Sequence, residues 1–162
     1  IYGVMVGNET PGLEGRYLKE LQESIRQLHL EDYILVQSAR KEVPEVMVTL
    51  DLFVMPSWSE AFGLVALEAM AMGVPCILGR GGSAEEMAAG SGAELVRPQD
   101  AYDLARKIIL LRNSPGVREE MKSRGRAYVL ERHSKQVRLQ KTLEVYARCY
   151  RRRIFGDPHH EH

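Results

Sequence analysis

Several things are scarce in this 162-residue chain, and each scarcity excludes a class of protein. Cysteine occurs twice, at Cys76 and Cys149, with no framework spacing and no secretory pattern. A disulfide scaffold is therefore excluded, and a reducing cytoplasm is the expected compartment. Net charge of either sign is missing, because Lys plus Arg and Asp plus Glu both total 22. Bulk electrostatics give nucleic acid no hold on such a chain. No apolar run approaches the roughly 20 residues of a membrane span. Internal repeats and low-complexity blocks are absent, and no Asp-x-Asp pair suggests a metal-held phosphate. What remains, 44% hydrophobic and 27% charged, is ordinary for one soluble domain with a proper core.

The most informative stretch runs from Pro56 to Pro75. It reads as a strand end, a polar loop, a helix opening at Gly63, and a Gly73-Val74-Pro75 stop before the next strand. Two carboxylates frame the helix start, Glu60 in the loop and Glu68 inside the helix. From Gly63 to Glu68 the helix rises about 7 to 8 Å. Glu60, the backbone N–H groups of Phe62 to Leu64, and Glu68 then fall along one line. The N–H groups and the helix dipole favour an anion such as phosphate. Ionised carboxylates accept hydrogen bonds from hydroxyls. A nucleoside diphosphate sugar has groups of both kinds. Taken alone, Glu60 is more simply a helix cap. Glu68 stands among Ala66, Leu67, Ala69, Met70, Ala71 and Met72, which predicts a buried carboxylate needing either a ligand or an Arg partner.

Around that stretch the chain alternates. Ile1 to Asn8 reads as a buried strand ending in a turn, and it begins without a lead-in, as though cut from something longer. Asn8 to Gly15 is a loop, and Leu18, Leu21, Ile25 and Leu28 mark a helix to about His29. Tyr33 to Val36 and Asp51 to Met55 are strands, with a short helix over Glu42 to Leu50 between them. Val74 to Leu78 is a strand, followed by Gly79-Arg80-Gly81-Gly82, where close backbone approach is expected. Ser83 caps a short helix ended by Gly90 and Gly92, and Ala93 to Val96 is a last strand. Such alternation predicts an α/β fold with a mostly parallel sheet, its ligand at the carboxyl ends of the strands. Those ends carry Gly7-Asn8, Gln37-Ser38, Ser57 to Gly63, Gly79 to Gly82 and Arg97.

From Asp100 the chain is helical. One stripe holds Leu104, Ile108 and Leu111, a second helix follows Ser114-Pro115, a third segment holds Tyr128 and Leu130, and a long final helix runs past Val137 to Tyr150. Arg151-Arg152-Arg153 with Ile154 and Phe155 fits a solvated helix end or a contact to an absent domain, and less readily an anionic membrane surface. Of the histidines, His29 and His133 lie in the body, and His159, His160 and His162 lie in a terminal tail with no shell to support a metal.

Pro56-Ser57, Glu60-x-Phe62-Gly63-Leu64, Glu68-Ala69-Met70-Ala71-x-Gly73-x-Pro75 and Gly81-Gly82-x-x-Glu85 together resemble the carboxyl-terminal half of retaining glycosyltransferases of the GT-B fold, the "group one" family of hexosyl and mannosyl transferases. The likeness extends from about Gly3 to Tyr150. It implies a Rossmann-like nucleotide-sugar domain over 1–150, truncated at its start, and a basic, histidine-containing tail over 151–162. It further implies that Glu68 binds the donor ribose and that Glu60, the expected catalytic residue, contacts donor-sugar hydroxyls without acting as a nucleophile. Phe62, Gly63 and Leu64 would meet sugar and diphosphate, Gln37 and Ser38 the base, and Glu85 the nucleotide loop or a structural partner. No metal or other cofactor is implied, the donor being the substrate.

The same resemblance implies an absent amino-terminal acceptor domain, reached by the last helix. An absent upstream Arg and Lys would neutralise the diphosphate, a task otherwise open to Arg80, Arg40 or Lys41. Because the first strand of such a domain lies mid-sheet, its loss would leave ladder groups for an added segment, a strand exchange or a homo-oligomer to cover. The rival readings are a nucleotide or nucleotide-sugar binding module without turnover, or chiefly a structural partner, and, with less support, a nucleotide-sugar epimerase.

Overall fold

The computed structural model describes residues 1–7, 15–39 and 43–155. Among them, five short strands alternate with helices in the order β1 (Gly3–Val6), α1 (Arg16–Gln27), β2 (Ile34–Gln37), α2 (Val43–Met47), β3 (Phe53–Met55), α3 (Leu64–Ala71), β4 (Cys76–Gly79), α4 (Ala84–Ser91) and β5 (Glu94–Val96). Three helices follow without strands: α5 (Ala101–Arg112), α6 (Pro115–His133) and α7 (Lys135–Phe155). Every strand pairing is parallel, as expected of strands joined through helices. The expected Rossmann-like class therefore holds, together with its helical carboxyl-terminal segment.

The strands form two sheets, and the chain divides into two units, Ile1–Val43 and Pro44–His162. In the first unit β1 pairs with β2, in register Gly3 with Ile34 through Val6 with Gln37. The expectation of a buried first strand fails: all four β1 residues are exposed. Among the described residues the strand has a neighbour on one edge, and α1 buries a single residue, Ile25, so little of their apolar surface covers it.

The second unit carries the core. Its sheet has the order β3-β4-β5, and all four residues of β4 are buried, the pattern of a parallel strand covered on both faces. Ile77 and Val96 pack with Leu111 and Met121, joined by Leu52, Val54, Leu104 and Ile108, so the predicted α5 stripe is a core face. Asp100 caps α5 by accepting the Asp103 N–H at 2.8 Å. Asp103 in turn accepts the Arg97 N–H at 3.1 Å and lies 3.0 Å from Arg106 Nη2. These bonds hold its carboxyl below the usual range and fix the end of β5 to the start of α5. Cys76 is buried, donates to the Val74 carbonyl at 3.3 Å, and has its thiol pushed up to about 12 by burial.

Two sequence readings of the helical region are corrected. The segments after Pro115 are one helix, α6: Gly125 does not break it, because a Cβ there would sit in ordinary contact with Met70, and α6 lays Met121, Gly125 and Tyr128 against its neighbours at helical spacing. Gly90 does not end α4 but lies within it, flush against the Tyr128 ring; the stop is Gly92, in the left-handed region at φ 76°. Asn8, Arg40, Lys41 and the His159–His162 tail lie outside the described residues.

Candidate functional site

The carboxyl ends of β3 and β4 open into two loops, Pro56 to Gly63 and Arg80 to Ser83, whose main chains run side by side. Glu60 and Gly82 form a parallel bridge. The Glu60 carbonyl accepts twice from Ser83, from its N–H at 2.8 Å and from its hydroxyl at 3.0 Å. Ser83 stands at the N-cap of α4 as expected, but its side chain makes no cap bond. Its hydroxyl is spent on the neighbouring loop instead. Gly82 permits this approach: at φ 61°, a Cβ would overlap the Glu60 carbonyl oxygen, far inside the 3.0 Å that Cβ contacts keep.

The Glu60 side chain turns back onto the start of α3. Its Oε1 accepts the Gly63 N–H at 3.1 Å and, more weakly, the Phe62 N–H at 3.5 Å. Two of the three N–H groups expected to be free are therefore engaged, because a carboxylate at a helix N-terminus satisfies the orphan donors nearest to it. The Leu64 N–H, one turn short of an intrahelical acceptor, remains at the helix mouth. Gly63 itself is the N-cap residue at φ 72°, and a Cβ there would fall 2.6 Å from Met87 Cε of α4. The helix opening is thus held from the front by Glu60 and from behind by Met87.

Glu68 is not buried. Ala66, Leu67, Ala69 and Met70 take the inner face of α3, and Glu68 lies outside, on an exposed face with Leu64, Val65 and Met72. Four adjacent inner positions need only half the helix circumference, so an apolar sequence around Glu68 did not require its burial. It makes no ion pair among the described residues. Glu85, in the first turn of α4, lies 3.6 Å from Arg80, both side chains exposed. The structure thus brings Glu60, Phe62, Gly63, Arg80 and Glu85 onto the two facing loops and the helix starts they lead into.

Gln37 and Ser38 belong to the first unit. They rim an open groove of about 420 Å³ lined by Met5, Val6, Tyr17 and Val36, a volume within the range of small-ligand sites. Sequence reasoning missed three residues of the second unit: Ser83 as a clasp, Met87 as a backstop, and His133, which meets Phe62. Only Ser83 had a local signal, and it pointed to the wrong bond. Among the described residues no three His, Cys, Asp or Glu side chains are grouped so as to hold a metal ion.

The sequence pattern described as "Glycosyl transferases group 1" matches residues 1–128. The chain is 35% identical over 127 residues to the N-acetyl-alpha-D-glucosaminyl L-malate synthase of Bacillus anthracis, covering 78% of this chain and 32% of that one. A crystal structure of Anabaena Alr3699/HepE in complex with UDP superposes with a TM-score of 0.85 at 27% identity, over 91% of this chain and 41% of that one. The C-terminal domain of a Francisella tularensis protein, LpcC, shares the fold over 83% of this chain and 87% of its own, with a TM-score of 0.69 at 22% identity. This chain spans about a third or less of the curated relatives it matches.

Proposed function

This chain belongs to the glycosyl transferases group 1 family, and on that premise we propose that it is the donor-binding half of a glycosyltransferase that moves a hexose from a nucleoside diphosphate sugar to an acceptor hydroxyl with retention of anomeric configuration. The observation that carries the reading is the built opening of α3. Its N-cap is a left-handed glycine, its first N–H groups are ordered by Glu60, and Met87 of α4 packs close behind it.

As the sugar–phosphate bond breaks, charge gathers on the leaving diphosphate. The N–H donors of this helix start, Leu64's open and Gly63's shared with Glu60, are fixed beforehand and stabilise that charge more in the transition state than in the ground state. Glu60 keeps lone pairs beyond those used by Gly63 and Phe62, and these accept donor-sugar hydroxyls while its charge stabilises positive character on the sugar. Glu60 serves this front-face reaction without forming a covalent bond. Glu68, unpaired among the described residues, accepts the ribose hydroxyls, and Arg80 stands beside the site as a cation, shared with Glu85. The family resemblance alone carries Gln37 and Ser38 toward the base. The complexed UDP of the Anabaena relative supports a uridine donor ahead of guanosine or adenosine.

Calorimetric titration with UDP-, GDP- and ADP-sugars, with Glu68→Ala as control, tests this. Binding of one donor, lost in the variant, is expected. A folded chain that binds none of them, alone or with the diphosphate-neutralising Arg and Lys supplied by an added upstream segment, overturns the reading. Donor binding with no transfer, even when an acceptor domain is supplied, would favour a binding module instead.

A further inference from the structure

Phe62 lies in the donor loop as a residue 52% exposed, yet its ring is not loose. From the end of α6, His133 meets it edge to face, centroids 5.9 Å apart and planes at 79°. His133 is itself backed by the buried Tyr128, at 5.1 Å and 51°. Tyr128 rests on Gly90 of α4 so closely that no Cβ fits between them, and Arg132 lies 5.5 Å over the Tyr128 ring. A continuous column of rings thus runs from the packed α4–α6 contact out to the loop.

The His133 Nε2 atom is buried and has no hydrogen-bond partner among the described residues. Its ring is therefore not fixed at that atom by a hydrogen bond, and ring packing carries its placement.

We infer that His133 is a positioning residue for the donor loop: its ring, wedged between Tyr128 and Phe62, sets where Phe62 and the adjoining Gly63 N–H stand when a nucleoside diphosphate sugar binds. The inference rests on the donor-site reading of Phe62 and Gly63, and extends it to an element that carries none of the recognised motif. Side-chain shape is the operative property, so a ring without nitrogen should serve and an aliphatic side chain should not.

The test uses UDP-glucose as probe with His133→Ala, His133→Leu and His133→Phe, the leucine variant filling the space should alanine leave too large a void to fold. Affinity is expected to fall about fivefold in the alanine and leucine variants, the size of one aromatic pair, and to stay at the wild-type value in the phenylalanine variant. In the free chain, amide exchange of Phe62 and Gly63 should quicken in the same two variants while exchange along α5 is unchanged, which a general loss of stability would not produce. Wild-type affinity in His133→Leu overturns the inference and leaves the donor reading standing. Failure of His133→Phe to restore affinity also overturns it, since ring shape would then not be the operative property. Where the wild-type chain binds a GDP- or ADP-sugar instead, that donor replaces UDP-glucose as the probe; a wild-type chain that binds none of the three fells the donor reading and this inference with it, whatever the exchange rates.

Discussion

The backbone of Gly82 lies against the carbonyl oxygen of Glu60 with no room for a single carbon between them. That contact, doubled by the two hydrogen bonds from Ser83, joins the loops after β3 and β4 into one platform. Gly82→Ala meets both a steric overlap and a left-handed φ, and is expected to cost about 2 kcal/mol or more. Gly116→Ala, at a helical position with nothing within 4 Å, should be neutral or stabilising by up to about 1 kcal/mol. Urea unfolding of the two variants side by side is the check.

Glu60 has a structural task separable from its proposed chemical one. Gln keeps an oxygen to accept the Gly63 N–H, so Glu60→Gln should hold stability to within about 0.5 kcal/mol, whereas Glu60→Ala should lose about 1 kcal/mol as the cap disappears. Sugar transfer by an enzyme containing this half should fall in both. Unfolding midpoints and transfer rates, measured together, separate cap from chemistry.

Glu68→Ala should behave oppositely. An exposed carboxylate without an ion pair among the described residues contributes little to folding, and alanine is the better helix former. Stability is expected to change by less than about 0.5 kcal/mol. Donor affinity, by contrast, should drop about tenfold or more, the size of a charge-assisted hydrogen bond. Calorimetry against thermal unfolding decides; a destabilised variant with intact binding would refute the ribose role.

Acidification should weaken the fold in two separate steps. Burial lowers the His133 pKa from 6.5, Glu86 of α4 opposing this and Lys141 of α7 and Arg132 adding to it, while Tyr128 packs against the ring. The unfolded chain therefore takes up that proton first, and stability present above pH 6.5 is lost as pH falls below it through the lower folded value. Asp103 titrates lower in the fold than its ordinary 3.8, so its contribution is intact above that pH and lost beneath it. Thermal midpoints across pH 8 to 3 should show the first step vanish in His133→Phe and the second in Asp103→Asn.

The motif around α3 was legible because its geometry is local. Helix start, helix stop, the tight Gly79–Gly82 turn and the carboxylate positions all follow from neighbours in sequence. What was illegible depended on contacts between distant segments. The apolar neighbours of Glu68 predict its burial, yet which side of α3 faces inward is set by α6, through Met70 and Gly125. Ser83 read as a cap because nothing in its own helix shows that Glu60 stands nearby. His133 carried no signal at all, since its significance lies in Phe62, seventy-one positions earlier. The exposed β1 pairs along one edge among the described residues, and strand composition does not tell such a position from a covered one.

The two cysteines differ in a way that equips the chain for spectroscopy. Cys76 is sealed within β4 with a thiol that hardly ionises at neutral pH, while Cys149 stands exposed on α7. A maleimide dye offered to the native protein will therefore mark α7 alone, and no cysteine need be engineered away first. The last helix thus bears a ready attachment point for a fluorophore or spin probe, from which the docking of whatever meets α7 can be followed in an otherwise unaltered molecule.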